Sequence, residues 1–128
     1  MPKYFVKHLL TGSQMYEKIS KKDIIAINQQ FDKGQIINGG SLDFALSQAN
    51  QSKSWLKSCA VLVRAVLIDH VFEEGNKRTA AGIMVGFFEE NEVQYNPEEI
   101  AKGIAKILMK NITSITEIER VILNAIIR

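Results

Sequence analysis

From Thr79 to Phe88 the chain is apolar on nearly every side of a helix. Ala80, Ala81, Ile83, Met84, Val85, Phe87 and Phe88 spread around the axis instead of forming one stripe. A helix of that kind is stable only where other elements cover it all round, so it belongs at the centre of a bundle. Trp55 to Asp69 reads as a second long buried helix, with Leu56, Ala60, Val63, Val66 and Leu67 sharing a face. The polar stretch His70 to Arg78 lies between the two and is the joint of the central pair.

Helix punctuation is frequent elsewhere. Ser20 and Asp23 form a capping-box pattern, after which Ile24, Ile27 and Phe31 recur at helical spacing until Asp32-Lys33-Gly34 ends the run. Residues 35–40 follow as a short irregular or hairpin-like segment, with Gly39 and Gly40 permitting unusual backbone angles. Ser41 is the expected N-cap of a short helix carrying Leu42, Ala45 and Leu46. Asn96 as cap, Pro97 at the first helical position and Glu99 at the third start another helix, continued by Ile100, Ile104, Ile107 and Leu108. Ser114 and Glu117 open a last one with Ile118, Val121, Ile122, Ala125 and Ile126. Residues 4–10 fit strand or helix equally. The expected fold is all-α, a compact bundle of about six helices, with residues 1–128 as a single domain.

At 128 residues and 46% hydrophobic content the chain can bury a real core. Its net charge of +2 is too small to argue for nucleic acid or a membrane surface by bulk electrostatics. Cys59 is the one cysteine, so no intramolecular disulfide can form, and its apolar setting marks it as a core residue. The opening Met1-Pro2-Lys3-Tyr4-Phe5 lacks the apolar core of a signal peptide, and Ala80 to Phe88 is about half of what a membrane span needs. Cytoplasm is the expected compartment.

The joint carries the chemistry. A helix opening on Gly75, Asn76, Lys77 and Arg78 aims unpaired N–H groups and its positive dipole end at whatever lies beyond. Lys77 and Arg78 oppose that dipole, and two cations there are best explained by an anion that they bind jointly. Phosphate is the usual anion in such a place. Arg78 offers a planar fork of donors and Lys77 a mobile point charge. Asn76 can orient a phosphate or hold the turn through its amide, and Gly75 lets backbone approach a ligand closely. His70 can hold an available lone pair near neutral pH and accept a hydroxyl proton; a lone histidine more often caps a helix C-terminus, but the eight residues that follow reverse that balance toward function. Glu74 suits Mg²⁺, which takes one or two carboxylates together with phosphate oxygens and water. Glu73 reads as a solvated loop charge, Phe72 as the apolar anchor of the turn, and Trp55 as a packing residue. His8 has no evident partner.

The order His70, Phe72, Glu74, Gly75, Asn76, Lys77, Arg78 resembles the motif of the Fic/Doc family, His-x-Phe-x-Asp/Glu-Gly-Asn-Gly/Lys-Arg. Lys77 and the following Thr79-Ala80-Ala81 make it most similar to the Doc (death-on-curing) toxin branch. The resemblance implies a compact helical bundle with its active loop between two central helices, and ATP with Mg²⁺ as cofactors. It further implies His70 as general base, Glu74 as metal ligand, and Gly75, Asn76, Lys77 and Arg78 as the phosphate cradle. It also implies a flap that aligns the target backbone by strand addition, a role that falls to Ile36, Ile37, Asn38 and Gly39.

Many AMP-transferring relatives carry glycine where Lys77 stands and a second arginine where Ala81 stands. That departure favours transfer of the γ-phosphoryl group to a Ser, Thr or Tyr hydroxyl of a protein, a translation factor being the target class that the family suggests. AMP transfer is the first alternative. A non-catalytic nucleotide- or phosphate-binding module is the second. The family's inhibitory pattern, Ser/Thr-x-x-x-Glu-Gly/Asn, is not matched. Thr113 and Glu117 have the offset but Ile118 follows, and Ser13 and Glu17 are followed by Lys18. A separate antitoxin-like protein is therefore the expected restraint. Neither a membrane nor direct nucleic-acid contact is expected.

Overall fold

A computed structural model describes residues 19–128. The expectations placed on residues 4–10, His8, Ser13 and Glu17 lie outside that range. Six helices make up the described chain: α1 (Lys21–Gln29), α2 (Gly39–Gln51), α3 (Trp55–Ile68), α4 (Asn76–Glu90), α5 (Pro97–Met109) and α6 (Ile115–Asn124). The fold is all-α, as the patterning predicts. α3 packs against α2, α4, α5 and α6, while α4 packs against α1, α3 and α5. These two are the central pair. Leu62, Val63, Val66, Ile83 and Phe88 are fully buried between the layers, and so is Cys59, whose thiol burial pushes its pKa well up. Trp55 sets its ring edge-on to Phe88 at 6.2 Å, the packing role expected of it.

Local caps fall where local sequence puts them. Ser20 accepts from the Asp23 N–H at 3.3 Å while Asp23 accepts from the Ser20 N–H at 2.9 Å, a complete capping box. Asn96 accepts from Glu98 and Ser114 from Glu117 in the same manner. Ser41 does not cap α2. The helix starts three residues earlier than a Ser41 cap would place it, Asn38 stands at its N-cap without a side-chain cap bond, and α2 runs to 13 residues. The reason is that both side chains are engaged across the fold. Asn38 donates to the Asp69 carbonyl at 2.7 Å and Ser41 to the Asp69 carboxylate at 3.0 Å. Phe31 lies beyond the end of α1 and is partly exposed, not on its buried face.

At the other end of the bundle α5 and α6 approach closely through Gly103. A Cβ at that position would lie 2.6 Å from Val121 Cγ1. The chain beyond α6 returns to the α4–α5 connection, with Asn96 N–H donating to Ala125 at 2.8 Å and Ile127 N–H to Gln94 at 2.9 Å.

Candidate functional site

The joint between α3 and α4 is built like a miniature sheet. Gln35 accepts from the Glu73 N–H at 2.9 Å and Ile37 N–H donates to Val71 at 2.8 Å, so Ile36 and Phe72 form an isolated antiparallel bridge. Of the two readings of residues 35–40, irregular or hairpin-like, the structure takes the irregular one for 35–38, while Gly39 and Gly40 belong to the first turn of α2, and the pairing partner of the irregular segment is the polar joint itself. In such a pair the backbone groups of the facing residues point away from each other. Those of Phe72 are met by Asn76, whose Oδ1 accepts from Phe72 N–H at 3.0 Å and whose Nδ2 donates to Phe72 C=O at 2.8 Å. The amide does the work of a third strand. Those of Ile36 face the other way and meet no partner among the described residues.

This clamp fixes the turn. Val71 and Phe72 are fully buried, which makes Phe72 the anchor that its sequence context predicts. His70 is exposed and its backbone sits at φ 51°, a left-handed conformation that a non-glycine residue holds at a cost of about 1–3 kcal/mol. Asp69 on one side of it is held by Asn38, Ser41 and, at 3.9 Å, Arg64. Arg64 in turn donates to the Thr113 carbonyl at 2.8 Å.

Gly75 is the N-cap of α4 at φ 79° and has no side chain with which to cap it. The first intrahelical bond is Thr79 N–H to Gly75 C=O at 2.9 Å, so the N–H groups of Asn76, Lys77 and Arg78 are not used by the helix. Lys77 and Arg78 are exposed, and among the described residues neither has an ion-pair partner. The Arg78 guanidinium lies 5.8 Å from the centre of the Phe31 ring, which accounts for Phe31 at the surface.

A cavity of about 490 Å³ opens in front of this helix end. His70 and residues 73–78 line it, with Asp32, Leu67 and Leu108 completing the wall. Every polar residue expected at the joint, His70, Glu74, Gly75, Asn76, Lys77 and Arg78, therefore meets one space. Ile36, Ile37, Asn38 and Gly39 do not line that space; this segment reaches the joint through the bridge from Ile36 to Phe72 and the bonds of Ile37 and Asn38 N–H to Val71 C=O. Of the two roles open to Asn76, the side chain performs the second, holding the turn. Glu74 is exposed, and no group of three or more potential metal ligands exists among the described residues. Asp32, Glu73 and Glu74 put carboxylates on the cavity wall, and Mg²⁺ takes one or two carboxylates together with water and phosphate oxygens.

Two residues of the site were not anticipated. Asp32 lies on the cavity wall, 3.3 Å through its Cβ from where a Cβ on Gly75 would stand. Asn28 is buried beneath the joint, where it donates to Glu74 C=O and to Thr79 Oγ1. A signal for Asn28 was present, since it shares the apolar face of Ile24 and Ile27. Comparison with family models, with characterised proteins and with solved structures finds no match for this chain.

Proposed function

We propose that this protein transfers the γ-phosphoryl group of ATP to a hydroxyl of a target protein. The observation that carries the reading is one helix end with three N–H groups that the helix does not use, two cations without an ion-pair partner among the described residues, and an exposed histidine on a single cavity. An anion at that end interacts with the dipole, the N–H groups, Lys77 and Arg78 together. Phosphoryl transfer depends mainly on this kind of positioning and charge neutralisation.

In this reading Lys77, Arg78 and the backbone of 75–78 hold the phosphates, and Glu74 would hold Mg²⁺, which would supply further neutralisation of phosphate charge. The target oxygen bonds to the γ-phosphorus as the bond to the β–γ bridging oxygen breaks, ADP leaves, and His70 accepts the hydroxyl proton. The free edge at Ile36 aligns the target backbone, with Ile37, Asn38 and Gly39 as its border. Ala81, half-buried in α4, offers no further cation, which favours phosphoryl over AMP transfer. The resemblance to the Doc branch supports a toxin held in check by an antitoxin-like protein. No described helix is long and apolar enough to cross a membrane.

The test is label transfer from α- and γ-labelled ATP to proteins of a host lysate, with His70→Ala as control. Label from γ alone, lost in the variant, is the expected result. Label from α would replace the reading with AMP transfer. Nucleotide binding without transfer would reduce the protein to a binding module.

A further inference from the structure

Asn28 is fully buried on α1, yet every polar group of its side chain is used, and on three different segments. Nδ2 donates to the Glu74 carbonyl at 2.9 Å and to Thr79 Oγ1 at 3.0 Å, while Oδ1 accepts from Gly34 N–H at 2.7 Å. A carbonyl can only accept and a peptide N–H can only donate, so the amide has one orientation. Thr79 completes the set by donating its own hydroxyl to Gly75 C=O at 2.8 Å. One side chain therefore ties the last turn before the flap to the residue that carries the candidate metal carboxylate and to the first turn of α4.

We infer that Asn28 is a positioning residue that makes the flap and the phosphate end of the site move as one unit. It touches neither the cavity nor, in the proposed reaction, any reacting atom. It acts through Glu74, whose backbone it holds, and through Gly34, from which the flap starts. Both ends of the Ile36–Phe72 bridge are then anchored on the same amide, so a displacement of the flap reaches Glu74 directly. The kinetic part of this inference rests on the phosphotransfer reading, whereas the mechanical part does not.

Two variants separate the ends. Asn28→Ala removes all three bonds. Asn28→Asp keeps an oxygen for Gly34 N–H but loses the amide donors to Glu74 and Thr79. Thr79→Val is the control, because it disturbs the same buried network and leaves the Asn28–Glu74 bond in place.

Amide hydrogen exchange on the full chain is the first readout. Asn28→Ala should accelerate exchange at residues 34–38 and 73–78 together, at least tenfold, with α5 and α6 unchanged. Asn28→Asp should accelerate it chiefly at 73–78. Mg²⁺ titration of γ-phosphoryl transfer is the second readout. A partner that orients a metal ligand typically changes metal affinity about 10–100-fold, so both Asn28 variants should raise the half-saturating Mg²⁺ by at least about tenfold. Thr79→Val should move it by less than about threefold.

Exchange that rises uniformly over the chain, or at one segment alone in Asn28→Ala, overturns the inference. So does an unchanged Mg²⁺ requirement in a variant that has merely lost thermal stability. If the wild-type chain transfers no phosphate, the functional reading fails, and joint loosening of the two segments still decides the mechanical inference. Should Asn28→Ala not fold, Asn28→Asp decides by its selectivity: faster exchange at 73–78 than at 34–38 supports the inference, and unchanged exchange at 73–78 or a uniform rise overturns it.

Discussion

Asn76 holds Phe72 by both of its backbone polar groups, at 3.0 and 2.8 Å, and so completes from a helix the pairing that Ile36 begins from the flap. This one relation fixes where the joint ends and where α4 starts, and it explains how a glycine-capped helix keeps a sharp entry.

Replacing Asn76 should therefore be felt first as instability of the turn. Asn76→Ala leaves the Phe72 N–H and C=O without their partner, at about 1–3 kcal/mol for each group that water cannot reach. Urea unfolding should show a loss of about 2 kcal/mol or more. Asn76→Asp keeps an acceptor for the N–H but turns an oxygen onto the carbonyl, so it should recover little. A loss below about 0.5 kcal/mol in Asn76→Ala would show that the clamp contributes nothing.

His70 makes the opposite case, a residue held against its own backbone preference. At φ 51° a glycine is unstrained, and the exposed imidazole contributes little packing. His70→Gly should leave stability unchanged or raise it by up to about 1 kcal/mol, with transfer abolished. His70→Ala should abolish transfer without that gain. Thermal unfolding of the two variants beside a γ-label assay measures both. Transfer retained in either variant would remove His70 from the chemistry.

The contrast between these residues shows what the sequence could convey. Ser20, Asn96 and Ser114 were legible as caps because each partner lies two or three residues ahead, inside the pattern that identifies a helix start. Ser41 was misread because its partner, Asp69, is 28 residues away and competes successfully for its hydroxyl. Asn28 escaped notice for the same reason, its partners Glu74 and Thr79 lying 46 and 51 residues on. The joint itself was legible as chemistry because its charges, glycine and histidine are consecutive. Its pairing with residues 35–38 was not, because strand-like contacts of so few residues leave no periodic signature.

Glycines at 75 and 40 give a paired test of backbone against space. A Cβ on Gly75 would require φ 79° of an L-residue and would lie 3.1 Å from Asn28 Nδ2. Gly75→Ala should cost about 1–2 kcal/mol and raise the Mg²⁺ requirement by disturbing Asn28. At Gly40, in the first turn of α2, a Cβ would meet nothing within 4 Å. Gly40→Ala should stabilise by about 0.4–1 kcal/mol. Equal effects of the two substitutions in chemical denaturation would contradict this account of the site's entry.

Cys59 supplies a reporter of the whole bundle. It is fully buried in α3, and burial pushes the thiol pKa up because the thiolate would lie in an apolar core. The sign follows from that direction. A group whose folded pKa is raised adds stability that is complete below its unfolded value, about 8.5 for a free thiol, and that is lost as pH rises beyond it. Stability should thus hold up to about pH 8 and decline above about pH 9, and Cys59→Ala should soften that decline. Thiol labelling by a disulfide reagent at pH 8 should proceed only as fast as the core opens, and should accelerate steeply with urea. Rapid labelling of the native protein, unaffected by urea, would mean that α3 is not the closed centre of the bundle.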